Sequence, residues 1–347
     1  MTQNPLSADL IHILDHTRDL WEDLRGAHIF ITGGTGFFGC WLLESFLFAN
    51  QQLDLKASAS VLTRRPDPVK QTIPHLMLNP AINLVKGDVR NFEFPKGEYS
   101  HIIHAASESS AYLNPDDLLT VYDTVVNGTQ HTLEFAAKCN AEKFLFTSSG
   151  AIYGPQDPTL DFLTEDTAIR DYRGPLDMRS VYCQAKRAAE LLTKIYSNKM
   201  TTTSTRCFAF VGPYLPLDSH FAAGNFIRDG LAGKSIEVSG DGTPYRSYLY
   251  AADLVIWLWT ILLRGESGLA YNVGSDQPIS ISELAYTTAT LFNPPLQVNI
   301  HQKSVAGKLA ERYVPSTRLA AETLGLEAWI NIPEALKRTI RWHRVNQ

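Results

Sequence analysis

Four cysteines are all that 347 residues carry, and Cys40, Cys139, Cys183 and Cys207 show no CxxC spacing. That argues against a disulfide scaffold and a cysteine zinc site, so no metal is expected, and the usage fits a reducing cytoplasm. Runs of one charge are missing too. No stretch of Lys and Arg reaches five residues, and the formal net charge is −5. Binding a phosphate backbone needs concentrated positive charge, so neither a nucleic acid nor a polybasic membrane contact is expected. No apolar stretch approaches the roughly 18 residues of a membrane span. The start, MTQNPLSADLIHILDH, has no basic region and no small-residue cleavage site, so no secretory signal is expected. Internal repeats and low-complexity tracts are absent. What remains is a globular chain long enough for one large α/β domain or two ordinary ones.

What is present is an alternation. Residues 7–24 place Leu10, Ile13, Leu14, Trp21 and Leu24 on one face and predict an amphipathic helix, a docking arm over residues 1–26. Apolar or β-branched runs then recur at 28–32, 58–63, 83–86, 101–105, 143–148 and 202–210. Such short unbroken runs suit parallel strands buried on both faces. Helical patterns at 37–50, 116–138 and 178–198 separate several of them. Strand alternating with helix implies βαβ units and a doubly wound parallel sheet, the Rossmann arrangement.

After residue 210 the rhythm breaks. The loop VGPYLPLD leads to a helix near 225–232, strands at 236–239 and 245–250, and a helix at 251–264. Ser280 and Glu283 form a capping box for a helix through Phe292, and Pro333 opens a last helix to about Arg344. The expected division is a dinucleotide-binding domain over 27–210 plus about 246–268. Residues 211–245 and 269–347 would make a smaller α/β lobe for the substrate, closing over the carboxyl ends of the strands.

The segment HIFITGGTGFFG, residues 28–39, joins the first strand to the first helix of this pattern. Gly33 permits the tight turn, Gly36 lets a pyrophosphate approach the backbone, and Gly39 lets helix and strand pack closely. The amides at the helix start, around Phe37 and Phe38, then bind phosphate. A carboxylate usually ends the second strand and holds the adenosine ribose. Here Thr63, Arg64 and Arg65 stand there, with no acid before Asp67. The two arginines either pair with a 2′-phosphate, which selects NADP over NAD, or are solvated surface charges.

Further on, TSSGAIYG at 147–154 ends the fifth strand, and the next helix carries YCQAK with Tyr182 and Lys186. Residues four apart share a helix face. The Lys186 charge beside Tyr182 favours a phenolate, a competent base for an alcohol proton. Ser149 would hydrogen-bond the same substrate oxygen.

These motifs, in this order, resemble the short-chain dehydrogenase/reductase superfamily. The GxxGxxG spacing is similar to its TGxxGxxG turn, and Ser149, Tyr182 and Lys186 to its catalytic triad. The second lobe resembles the extended branch, the NAD-dependent epimerases and dehydratases of nucleotide sugars, and the likeness covers nearly all of 27–340. It implies an adenine pocket at Asp88 and Val89 and, in HAAS (104–107), a loop beneath the cofactor that binds it through Ala105, Ala106 and Ser107. Tyr182 and Lys186 would also touch the cofactor, Lys186 through the nicotinamide ribose. The stretch 218–253 is similar to the nucleotide-sugar segment of UDP-glucuronate decarboxylases, which implies substrate contacts from Asn225 and Arg246. Arginine suits a diphosphate because its planar fork binds phosphate oxygens in pairs. The branch also implies a homodimer built on helices 116–138 and 178–198.

Which reaction follows is a matter of carboxylates. Dehydratases and decarboxylases of the branch have a Glu two residues before the Tyr of the YG pair, and glucose-type dehydratases add an Asp before it. Gly150 and Ala151 occupy those places ahead of Tyr153. Without that base, 4,6-elimination is disfavoured, and epimerisation or ketoreduction at C4 is expected. His220 matches a histidine of the branch's C3/C5-epimerising 4-keto reductases, though their partner cysteine is replaced by Ala151. It is either an acid/base or a packing residue, and Cys207 is either its substitute partner or a structural thiol. Dehydratase or decarboxylase chemistry stays open as an alternative, as does a sensor or scaffold that binds dinucleotide without turnover.

Overall fold

A computed structural model describes residues 4–106, 117–171, 176–218 and 221–346. The chain divides into two compact units. Met1–Ile152, Tyr172–Cys207 and Val255–Tyr271 form one, and Tyr153–Asp171, Phe208–Leu254 and Asn272–Gln347 the other.

In the first unit the apolar runs become strands β1 (His28–Thr32), β2 (Ser58–Thr63), β3 (Ile82–Lys86), β4 (His101–His104), β5 (Lys143–Ser149) and β6 (Thr201–Cys207). With a seventh strand, Ala270–Val273, they form one sheet in the order Ala270–Val273, β6, β5, β4, β1, β2, β3. β1 pairs in parallel with both β2 and β4. The chain thus leaves β1 first to one side and later to the other, and the loops after β1 and β4 diverge at the carboxyl edge. In doubly wound sheets that divergence opens the ligand crevice.

The helices are α1 (Ser7–Thr17), α2 (Phe37–Gln52), α3 (Pro66–Thr72), α4 (Pro74–Met77), α5 (Leu118–Lys138) and α6 (Met178–Ile195). The core on one side of the sheet is aromatic. Phe30 of β1 lies 4.8 Å from Phe135 of α5 and 5.5 Å from both Phe92 and Tyr99, centroid to centroid. Such ring pairs add to the burial of their area. Residues 7–24 are not one helix. α1 stops at Thr17, and Arg18–Leu24 continue as 3-10 helix. The tighter turn accompanies burial of Trp21, whose ring lies 4.9 Å from that of Trp259. Trp259 in turn donates its indole N–H to Ser45 of α2 at 2.9 Å.

The second unit is built of shorter pieces. The expected strand over 245–250 is two fragments. Tyr245–Arg246 joins Ile279–Ser280 and Arg312–Tyr313 in a three-stranded sheet, while Leu249–Tyr250 pairs with Phe210–Val211. The run 202–210 is correspondingly interrupted after Cys207. α7 spans Ala222–Leu231. The capping box forms as the sequence predicts: Ser280 Oγ accepts from the Glu283 amide at 3.2 Å, and the Glu283 carboxylate accepts from the Ser280 amide at 2.8 Å. The helix it starts ends earlier than expected, at Ala289. Among the described residues no helix is long and apolar enough to cross a membrane.

Candidate active site

The turn after β1 is shaped by backbone contact. Gly33 has φ +71°, and a Cβ there would lie 2.5 Å from the carbonyl carbon of Ala105. Gly39, in the first turn of α2, sits so close to the turn that a Cβ would stand 2.3 Å from the Gly33 oxygen. Gly36 differs, because a Cβ there meets nothing nearer than 3.5 Å among the described residues. Packing against the described residues does not require its lack of a side chain. It is the N-cap of α2 and makes no side-chain cap. Phe37 and Phe38 fill the first turn, their rings 5.8 Å apart.

Beside this turn lies a cleft of about 250 Å³. Four backbone ends meet around it: Gly33 and Gly36 after β1, Arg64 and Arg65 after β2, Asp88 and Val89 after β3, Ala105 and Ala106 after β4. The sequence expectations for these eight residues therefore fall on one hollow. Both arginines are exposed. Asp88, the acid among them, accepts from Arg90 Nε at 2.8 Å and Nη2 at 2.9 Å. That side-chain pairing holds its carboxyl below the usual carboxylate range. A larger hollow of about 480 Å³ lies beside Glu44 and His75 and includes none of these residues.

α6 is started by a capping box between Asp177 and Ser180. Its buried face carries Val181, Cys183, Ala185, Lys186 and Ala189. Lys186 is thus drawn into the core at 1% exposure. Its Nζ donates to the Thr147 carbonyl at 2.7 Å and lies 4.7 Å from the centre of the Phe146 ring and 5.6 Å from that of Tyr182. Burial pulls the Lys186 ammonium down to about 8, against the opposing pull of Cys207 and Glu190. Ser149, two residues beyond Thr147, accepts the Ala151 amide on its Oγ at 3.1 Å. That bond uses an oxygen lone pair and leaves the hydroxyl hydrogen for another acceptor.

Of the remaining expected residues, Asn225 and Arg246 belong to the second unit. Asn225 is on α7 and accepts from Arg228 at 3.0 Å. Arg246 donates from Nη1 to the Tyr245 carbonyl at 2.8 Å. Ser107 and His220 lie outside the described residues. Cys207 is buried, and that burial pushes its thiol up to about 12. Sequence reading missed the Thr147 carbonyl, which no side-chain pattern signals. His104, placed by the sequence only as the first residue of HAAS, is joined to Thr32 across 2.7 Å, both side chains buried beneath the turn, and that pairing was missed.

Comparison with known proteins adds the family. A model of the NAD dependent epimerase/dehydratase family matches residues 29–274. UDP-glucuronic acid decarboxylase 6 of Arabidopsis thaliana is 29% identical over 313 residues, covering 89% of this chain and 86% of that protein. The solved UDP-glucose 4-epimerase of Thermotoga maritima, with UDP-glucose, superposes with a TM-score of 0.75 at 19% identity, over 92% of this chain and 99% of that one. A dTDP-glucose 4,6-dehydratase of Bacillus anthracis in complex with NAD gives 0.72 at 21% identity, over 92% and 97%. At such identities the two structures show a shared fold.

Proposed function

The chain belongs to the NAD dependent epimerase/dehydratase family, and from that premise we propose that it changes the C4 centre of a nucleotide-diphosphate sugar, as an epimerase or a 4-ketoreductase. The observation that carries this is the chain after Ser149. Gly150 and Ala151 follow it in a 3-10 turn, Gly150–Tyr153, where elimination or decarboxylation would use carboxylates.

The dinucleotide would lie in the cleft beside Gly33 and Gly36, its phosphates on the amides that open α2. Bound there, a nicotinamide supplies the acceptance and return of hydride. Tyr182 takes the proton from the sugar C4 hydroxyl, Ser149 hydrogen-bonds the same oxygen, and the Lys186 charge favours the phenolate. We assign Arg64 and Arg65 to a 2′-phosphate, hence NADP. The support is that Asp88 is occupied by Arg90 and no carboxylate follows β2 before Asp67. Asn225 and Arg246 are assigned to the nucleotide diphosphate.

α5 and α6 pack together and expose Leu119, Tyr122, Leu191 and Ile195. This apolar surface supports a homodimer across both helices. Four unbridged cysteines support a cytoplasmic setting.

A second reading, decarboxylation, is favoured by the identity to a plant UDP-glucuronic acid decarboxylase. Incubation with UDP-, dTDP- and GDP-hexoses and with UDP-glucuronate, followed by mass spectrometry of the products, separates the two. A C4 epimerase leaves product mass unchanged. Loss of CO2 from UDP-glucuronate would replace the first reading with the second.

A further inference from the structure

Beneath the phosphate turn lies a closed set of hydrogen bonds that none of the assigned roles uses. Thr32, His104 and Thr129 are all fully buried. They belong to three elements: the end of β1, the end of β4, and α5. Thr129 gives its hydroxyl hydrogen to the Val125 carbonyl at 2.6 Å. Its 3.0 Å contact with His104 Nε2 then requires a hydrogen on that nitrogen. Nδ1 is left as an acceptor, so at 2.7 Å the Thr32 hydroxyl donates to it. A lone pair of the same Thr32 oxygen accepts the Ala106 amide at 3.1 Å. The orientation of one ring therefore fixes the orientation of one hydroxyl, and that hydroxyl holds one backbone amide of the cleft.

We propose that His104, with its proton on Nε2, is a positioning residue that fastens the Ala105–Ala106 floor of the dinucleotide site against the phosphate turn. The inference rests on the reading of this cleft as a dinucleotide site. Three further contacts support it. The Ala105 amide donates to the Thr32 carbonyl at 3.1 Å. Gly33 leaves no room for a Cβ against Ala105. The Thr147 hydroxyl donates to the His104 carbonyl at 3.3 Å, so the strand bearing the Lys186 anchor is tied to the same residue. The His104 ring stacks at 5.6 Å on Phe146, the ring that also carries the Lys186 ammonium. Burial, aided by the Lys186 charge, pulls the imidazole down to about 3, so it stays neutral at working pH.

Two substitutions split the ring's two bonds. His104→Asn places an amide oxygen near the Nδ1 position and keeps the acceptor for Thr32. His104→Gln reaches the Nε2 position and keeps the donor to Thr129 while removing that acceptor. Dissociation constants for NAD and NADP are measured by calorimetry, alongside the melting temperature of the ligand-free protein. The expected result is that both variants melt lower, but only His104→Gln loses about tenfold in dinucleotide affinity, the scale of one lost buried hydrogen bond. Thr32→Val, which keeps shape and removes the hydroxyl, should copy that loss, and Thr129→Val should not. If His104→Gln fails to fold, the two threonine variants carry the same test. Equal affinities in wild type, His104→Gln and Thr32→Val, or equal losses in all four variants, would overturn the proposal and leave His104 a core residue. Wild-type protein that binds neither dinucleotide would overturn the reading of the cleft itself.

Discussion

Lys186 is fastened to Thr147: its ammonium donates to the backbone carbonyl at 2.7 Å, across 39 residues of sequence. This bond sets where the charge sits. The anchor is two residues before Ser149 on β5, and the lysine is one helical turn beyond Tyr182 on α6. A side chain with four rotatable bonds is thereby held in one place, its Nζ 5.6 Å from the centre of the Tyr182 ring.

Replacing Tyr182 with Phe should abolish turnover and leave dinucleotide affinity nearly unchanged. The ring keeps its shape and loses only the proton acceptor. Loss of a general base costs about 10²–10⁴ in rate. Steady-state kinetics beside calorimetric titration check this, and near-wild-type turnover would remove Tyr182 from the role.

The pH profile follows from the burial of Lys186. Its positive charge is present below about 8 and is lost above. If that charge favours the phenolate, kcat/KM should fall on the alkaline side with a midpoint near 8. Glu190, whose carboxylate opposes the effect of burial, gives the sign control. Glu190→Gln should move the alkaline limb to lower pH. A limb that stays in place, or moves up, would detach it from Lys186.

Much of the sheet was legible because parallel strands buried on both faces are written as unbroken apolar runs. β1 and β2 fall on the residues expected, and β3 to β5 within a residue or so. The seventh strand, Ala270–Val273, is interrupted by Asn272 and makes no apolar run, and the sequence reading missed it. The division of 245–250 was also hidden, because Arg246 faces Ile279 and Tyr250 faces Val211 in different sheets, which only tertiary pairing decides. The turn, Tyr182 and Lys186 were legible as local spacings. The His104 network was not, since its partners lie 72 and 25 residues away. HAAS marked the loop but not the residues to which its histidine is bonded.

The glycines of the phosphate turn should separate stability from binding. Gly33→Ala forces an L-residue to φ +71° and drives a methyl into the Ala105 backbone. The left-handed backbone alone costs about 1–2 kcal/mol, so the melting temperature should fall along with affinity. Gly36→Ala meets nothing closer than 3.5 Å among the described residues. It should melt as wild type does, yet bind NAD and NADP more weakly, because the methyl occupies the approach of the pyrophosphate. Unchanged affinity in Gly36→Ala would place the phosphates elsewhere.

Removal of both cleft arginines, Arg64→Ala with Arg65→Ala, should weaken NADP far more than NAD. Each charge-assisted hydrogen bond to a phosphate contributes about 1.5–3 kcal/mol, so the loss for NADP should exceed tenfold. Titration of both dinucleotides at fixed salt reads the difference. Equal NADP dissociation constants before and after substitution would return the arginines to the solvated surface.

The type of reaction is decided by where hydrogen comes from. If Gly150 and Ala151 leave no carboxylate for elimination, the sugar keeps its C6 oxygen throughout turnover. In deuterated water a C4 epimerase should then incorporate no deuterium into carbon, since the hydride leaves and returns without exchanging with solvent. A 4,6-dehydratase would incorporate deuterium, because the carbon next to the transient ketone is an acid that exchanges while water is lost. A 4-ketoreductase would consume one reduced dinucleotide per turnover. It would show exchange at C3 or C5 only if an acid/base such as His220 acts on those carbons. Mass and proton spectra of the product from a UDP-hexose distinguish the first two, and a 4-keto sugar nucleotide supplied with reduced dinucleotide reads the third. Loss of water from an unmodified hexose would show that a side chain other than those at 150 and 151 supplies the base, and the C4 assignment would fall with it.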